Sequence, residues 1–443
     1  MKKVFLLVLV SFCWLLGATL INVPADYATI QAGINATVDG DTVLVQPGTY
    51  VENINFFAKT ICLISSAGAE ETIIDGNQEG SVVTMTSDEL IETSPVLDGF
   101  TLTNGNTDGG GGIKCGLMNP IFKNLIITNN HADGGGGILL VSSDAYFENI
   151  VISNNSALNG GGVYDWSSSN FMNTIIANNT ATYAGGGIYM AGGGGAQPYL
   201  SQTLIINNTA ERGGAIYTNA LSDLRSLLNV TIANNTASVN GGGIHASDNL
   251  WGEISLQNCI MWNNLPEETY GDQISIAYSD IQGNWEGIGN IDADPLFVDA
   301  AGGDYHLTEF SPCIDAGDPT SPFDPDGTIA DMGAFYYHQD VGINDNELPV
   351  NNYNLTNHPN PFTGETTISF SLTTNLHENT RIEIFNIKGQ LVKQLVVNPE
   401  SVRDGLGNQQ IIWNANKFAS GVYFYKLVVN GKAIDTKKMI LLK

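Results

Sequence analysis

Ile150-Val151-Ile152-Ser153-Asn154-Asn155-Ser156-Ala157-Leu158-Asn159-Gly160-Gly161-Gly162-Val163-Tyr164 is one of seven copies of a phrase found between Phe100 and Asn264. Each copy has an apolar segment, an Asn, a small-residue step and, in most, a glycine run closing on Ile or Val. The first Asn stands at Asn104, Asn129, Asn154, Asn178, Asn207, Asn234 and Asn263, in steps of 25, 25, 24, 29, 27 and 29 residues. A period in this range marks a solenoid, whose units bury their apolar faces only against their neighbours. Residue chemistry decides which kind. Two positions before the first Asn stand Leu102, Ile127, Ile152, Ile176, Ile205, Ile232 and Met261, and two before those stand Phe100, Leu125, Ile150, Thr174, Thr203, Val230 and Cys259. A period of two over short, β-branched segments predicts strands, and no segment of the repeat has helical spacing. Each unit is then a coil of short strands, with equivalent residues about 4.8 Å apart in successive coils.

The second Asn (Asn130, Asn155, Asn179, Asn208, Asn235, Asn264; Gly105 in the first copy) is expected to turn the corner. Asn tolerates left-handed backbone angles, and stacked amides pair with the copies above and below. Ala132, Ala157, Ala181, Ala210 and Ala237 are small enough for an inward corner. The glycine runs take the other corner, where positive φ meets no Cβ. These features resemble the right-handed parallel β-helix of the pectin-lyase-like superfamily, in particular its surface and secreted members with Asn-Asn and Gly-Gly-Gly repeats. The resemblance implies an all-β fold, a right-handed parallel β-helix solenoid, and leaves function open.

Both ends of the chain differ from this pattern. Residues 1–18 have the form of a secretory signal peptide: Lys2 and Lys3, an apolar core from Val4 to Leu16, and a small residue at Ala18. That core is too short to span a bilayer, and no later apolar run is long enough, so the mature chain is expected to lack a transmembrane segment. The β-helix is assigned to residues 19–339. Thr29 to Ala36 suits a short N-terminal capping helix that covers the open end of the apolar stack. Asn290 to Asp318 looks like the terminal coil of bacterial surface β-helix proteins. Residues 340–355 read as a polar linker.

Residues 356–443 change character. Pro359-Asn360-Pro361-Phe362 precedes the alternating strand Thr366 to Leu372. Further strands run over Arg381 to Ile387, Gln390 to Val392, Ser420 to Leu427 and Lys437 to Lys443, with turns at Lys388-Gly389 and Asn430-Gly431. This predicts a small C-terminal β-sandwich. The segment is similar to the type A sorting domain of type IX secretion in Bacteroidetes-like bacteria. The resemblance implies that residues 356–443 engage the type IX secretion machinery, and that the protein is extracellular or held at the outer cell surface.

Charge narrows the partners. Residues 22–345 hold 38 acidic and 5 basic side chains, whereas residues 346–443 hold 7 acidic and 10 basic ones. So acidic a body disfavours nucleic acid, anionic membranes and naked polyuronate. Its only cations are Lys59, Lys114, Lys123, Arg212 and Arg225. Lyases of this fold need a Lys or Arg base beside a cation-held uronate, and Arg212 is the one candidate that interrupts the repeat. The Gly-His-Gly and Arg-x-Lys motifs of the related hydrolases do not occur, so no catalytic residue is assigned. Cys62, Cys115, Cys259 and Cys313 form no CxxC pair, which argues for buried thiols rather than zinc ligands.

Two candidate sites follow. After each post-glycine Ile or Val come Lys114, Leu139, Tyr164, Tyr189, Tyr217 and His245, so Tyr164, Tyr189 and Tyr217 should stack on the outward face with Asp165 and Trp166 adjoining. Exposed rings suit sugar faces, although ring ladders also simply stabilise strands. Asp324, Asp326 and Asp331 have the short spacing of carboxylates that Ca²⁺ prefers, but the last acidic position of a full loop is missing, and turn aspartates account for the same spacing. The favoured function is a non-catalytic exported β-helix, an adhesin or binder of extracellular polysaccharide. A polysaccharide lyase or glycoside hydrolase and a structural surface-layer component are the alternatives.

Overall fold

The computed structural model describes residues 18–91, 93–192, 198–219, 225–247, 252–339, 355–372, 380–386, 390–396, 407–429 and 432–442. The signal segment apart from Ala18, nearly all of the linker and the turns at Lys388-Gly389 and Asn430-Gly431 lie outside them. The chain divides into two compact units, Met1–Gln339 and Asp340–Lys443.

In the first unit, parallel strands pile into columns. In a 17-stranded sheet Leu102, Ile127, Ile152, Ile176, Ile205, Ile232 and Met261 stand in register, all buried. In a nine-stranded sheet Ile113, Ile138, Val163, Ile188, Ile216 and Ile244 do the same. The alanines Ala132, Ala157, Ala181, Ala210 and Ala237 are buried on the strands of a six-stranded sheet. Alternate residues of every coil therefore meet in one core running from Ile21 to Ile281.

The two asparagines divide their work differently from the expectation. The first makes the left-handed bend, with φ between 54° and 59° at Asn104, Asn129, Asn154, Asn178, Asn207, Asn234 and Asn263. The second is turned inward and carries the ladder. Nδ2 of Asn130, Asn155, Asn179, Asn208 and Asn235 donates to Oδ1 of the next Asn at 2.9–3.1 Å. The same Oδ1 atoms accept the preceding Asn backbone N–H. Each Nδ2 also reaches a carbonyl one coil back, at Leu102, Ile127, Ile152, Ile176 or Ile205. A buried amide is tolerated because every lone pair and hydrogen is used. A second row of left-handed residues, five positions earlier, comprises Asn124, Asn149, Asn173, Gln202, Asn229 and Asn258, at φ 48° to 58°.

At the glycine corner only the glycine three residues before the closing Ile or Val has positive φ, 62° to 69° at Gly110, Gly135, Gly160, Gly185, Gly213 and Gly241. The next is glycine because coils approach closely: a Cβ on Gly136 would fall on the carbonyl oxygens of Ser156 and Gly161.

The N-terminal cap is α1 (Ile30–Ala36), preceded by Thr29, whose hydroxyl accepts the Ala32 N–H at 3.1 Å. The Glu52 carboxylate accepts the Ile30 and Gln31 N–H groups at 2.9 Å each, and the Lys59 ammonium donates to the carbonyls of Ile34, Asn35 and Thr37. Opposite charges thus sit at opposite ends of the helix, as its dipole favours. Ile30 and Ile34 enter the core beside Ile21 and Val23.

Residues 291–339 do not form the expected closing coil. They carry the hairpin Phe297–Asp299 with Asp304–Leu307, and fold back against the outward side of earlier coils. Ala177, Leu204, Ile206 and Ala233 pack with Tyr305 and Ala334, and Ile260 with Leu307, Cys313 and Met332. Asn234 Nδ2 donates to the Tyr305 hydroxyl at 2.6 Å. The cause lies in one outward column. Thr103, Thr128 and Ser153 are polar, whereas the next residues in register, Ala177, Ile206, Ala233 and Trp262, are apolar and gain from a cover.

The second unit pairs Thr356–His358, Glu365–Leu372 and Gly407–Asn414 in one antiparallel sheet. Leu391–Val396, Arg381–Asn386, Gly421–Val429 and Lys432–Leu441 form another. Both contribute to one core, where Phe362, Phe370, Ile382, Ile384, Trp413, Tyr425 and Leu441 meet.

Candidate functional site

The ring column exists and is longer than expected. Tyr164, Tyr189, Tyr217, His245 and Tyr270 occupy equivalent positions in five successive coils, with ring centroids 4.8–5.1 Å apart and planes within 17–20°. Stacking so close turns the ring faces toward one another. Tyr189 and Tyr217 are 8% and 7% exposed, so the open platform drawn from the sequence is reduced at these coils to ring edges. Asn219 Nδ2 donates to the Tyr189 hydroxyl at 2.8 Å, and burial pushes the pKa of that phenol up, further out of the physiological range. Tyr164 is half-buried and Tyr270 is exposed.

Asp165 does not adjoin the rings. Strand alternation turns it inward, 2% exposed, into the column of Cys115, Leu140 and Met190, where Ser169 Oγ donates to it at 3.3 Å. Trp166 returns outward and is 49% exposed. Thus Tyr164 and Trp166 share a side, and the carboxylate between them serves the interior.

The three aspartates of the calcium expectation are bracing groups. Asp324 accepts the Asp331 N–H at 2.9 Å, and Asp331 accepts the N–H groups of Asp315 and Tyr337 at 2.7 and 2.6 Å. Asp326 accepts the Gln339 N–H at 2.8 Å and bonds from Thr328. Donor hydrogens therefore point at carboxylate oxygens that a cation would need. Among the described residues no group of three or more His, Cys, Asp or Glu side chains is arranged to hold a metal ion. Burial pushes the Asp331 carboxyl up to about 6 against the pull of its donors.

Three of the five cations of the body are similarly employed. Lys59 caps α1, Lys123 pairs with Glu148 at 2.7 Å, and Arg212 lies over the Tyr183 ring at 5.5 Å. Lys114 is exposed on the outward column beside Leu139, and the Arg225 side chain is outside the described residues. The thiols of Cys115 and Cys259 are buried, which pushes both up to about 12 and leaves them unreactive.

One residue escapes a reading by motif. The asparagine ladder ends at Asn264, whose backbone N–H and Nδ2 both donate to the Glu268 carboxylate, so Glu268 fills the place of a seventh Asn. Burial pushes its carboxyl up to about 7, opposed by the two Asn264 donors. It borders a cleft of ≈ 450 Å³ with Trp285 and Gln282. The sequence signal is slight: an acid four residues beyond the last Asn pair.

Known proteins bear on this arrangement as follows. Residues 357–442 match the secretion system C-terminal sorting domain family. Residues 202–219 and 229–247, two coils of the solenoid, match the Chlamydia polymorphic membrane protein repeat. No curated protein matches the chain. Among solved structures it is similar to a mutant pectin methylesterase in complex with a hexasaccharide, at 12% identity and a TM-score of 0.33, over 67% of this chain and 98% of that one. Among the described residues no helix is long and apolar enough to cross a membrane. The chain is a parallel β-helix protein ending in a type IX secretion sorting domain, exported to the cell surface or the extracellular space.

Proposed function

We propose that the first unit is a non-catalytic binding module for extracellular polysaccharide, an adhesin or glycan binder, which the sorting domain delivers outside the cell. The observation that carries this reading is the structural employment of most of the charged side chains such chemistry would draw on, with Lys114 the exposed exception among the described residues. Elimination from a uronate needs a free base beside a neutralised carboxylate, and glycoside hydrolysis needs two carboxyl groups facing one bond. Here Lys59, Lys123 and Arg212 have structural partners, Asp165 is buried in the coil, and Asp324, Asp326 and Asp331 accept backbone N–H groups. The long, regular, acidic surface favours neutral partners over polyanions.

The test is incubation of the purified protein with a panel of neutral and acidic polysaccharides, with and without Ca²⁺. Retention of a polysaccharide without chain cleavage is the expected result. Unsaturated products or new reducing ends would replace the reading with a lyase or a hydrolase. Neither retention nor cleavage would favour a structural surface-layer role.

A further inference from the structure

We propose that the cleft between the cover segment 291–339 and the outer row of left-handed residues is a subsite for one or two rings of a neutral sugar. This deepens the glycan-binding reading and rests on it. The cleft, ≈ 260 Å³, is bordered by Gln202 and Asn229 of the coils and by Phe323, Asp324 and Tyr336 of the cover. Its size is below that of pockets for drug-sized ligands, which sets the limit of one or two rings.

Three independent features converge on it. The first is a break in the outer row. Asn occupies this place at 124, 149, 173, 229 and 258, and its amides pair from coil to coil, Asn149 to Asn124 at 3.1 Å and Asn173 to Asn149 at 2.6 Å. Gln202 interrupts the row. It holds φ 48°, a region that Asn enters far more readily than Gln, and its exposed amide has no hydrogen-bond partner among the described residues. A longer amide kept at a strained position is available to a ligand.

The second feature is apolar. Phe323 is 65% exposed and Tyr336 is 38% exposed at the cleft, whereas Tyr305 and Phe335 of the same segment are packed; Phe310, also exposed, lies outside the cleft lining. Flat rings left beside a cleft suit the C–H faces of a sugar. The third is the supply of acceptors. Asn229 spends Nδ2 on the Asp331 carbonyl at 2.9 Å and keeps Oδ1, while Asp324 accepts the Asp331 N–H on one oxygen and keeps the other. Gln202 adds a donor and an acceptor. Hydroxyl groups satisfy such a mixed set, whereas a uronate carboxylate would meet the Asp324 charge within an already acidic body.

The experiment is calorimetric titration of the full secreted chain with cellotetraose, mannotetraose, β-1,4-galactotetraose and tetragalacturonate. At least one neutral probe binds, and tetragalacturonate binds at least tenfold more weakly. Phe323→Ala and Gln202→Asn each weaken the neutral probe tenfold or more; Phe323 is exposed, and Asn restores the residue type of the row, so both variants keep the wild-type unfolding midpoint or exceed it. Unchanged affinity in both variants would overturn the subsite and leave glycan binding standing. Equal affinity for tetragalacturonate would overturn the assignment to neutral sugars. Binding of no probe by the wild-type chain would overturn subsite and glycan binding together.

Discussion

Asn178 and Asn179 are adjacent and chemically identical, yet they serve opposite needs. Asn178 is exposed at φ 57°, while Asn179 is buried, bonded through its side chain to Ile152, Asn155 and Asn208. Asn178→Gly should change stability by no more than about 0.5 kcal/mol, since glycine enters the left-handed region freely. Asn179→Ala strands two donors of Asn155 and the Ile152 carbonyl, and at about 1–3 kcal/mol for each buried orphan it should cost ~3 kcal/mol or more in denaturant unfolding. The pair is legible as a repeat but not in its division of labour, because sequence spacing does not say which of two neighbours faces inward. Glu268 adds a pH signature. Its folded pKa, raised to about 7 from 4.5, gives a contribution to stability that is full below about 4.5 and is lost as pH rises through about 7. Glu268→Gln, which mimics the protonated acid, should remove this decline from a series of melting temperatures between pH 4.5 and 8. A decline of the same size in the variant would assign it to other groups.

At the scale of the strand, the column from Tyr164 to Tyr270 is a stabilising device in its own right. Tyr189→Ala deletes a buried ring stacked on both sides and should cost about 3 kcal/mol. Tyr189→Phe keeps both stacks and loses only the bond from Asn219, about 1 kcal/mol. Equal losses in the two variants, measured by chemical denaturation, would mean that the hydroxyl rather than the stacking matters. The column is readable in the sequence because equivalent positions recur; its burial is not, because that depends on neighbours such as Ala184 and Ala191 that belong to other elements. Asp165 is a different case. The alternation that places Val163 inward and Tyr164 outward, carried one residue further, also places Asp165 inward.

Across the whole molecule, the sorting domain and the solenoid are legible for different reasons. The first has a distinctive entry at Pro359-Asn360-Pro361-Phe362 and an alternating strand pattern, and residues 357–442 match its family. The second has a period that survives changes of coil length from 24 to 29 residues, since insertions fall between the columns. Residues 291–339 have no period, so only the change from Thr103, Thr128 and Ser153 to Ala177, Ile206 and Ala233 betrays that something lies over the later coils. Solenoid stability is close to a sum over coils and their contacts, so one whole coil should be dispensable where half a coil is not. The most direct measurement is the unfolding transition of a chain lacking residues 129–153, one complete 25-residue step, beside a chain lacking residues 129–140. The first should retain a parallel-sheet circular dichroism spectrum and a cooperative transition at a modestly lower midpoint, and the second should lose both. Loss of cooperative unfolding on removing the whole coil, or equal tolerance of the two deletions, would contradict the stacked register.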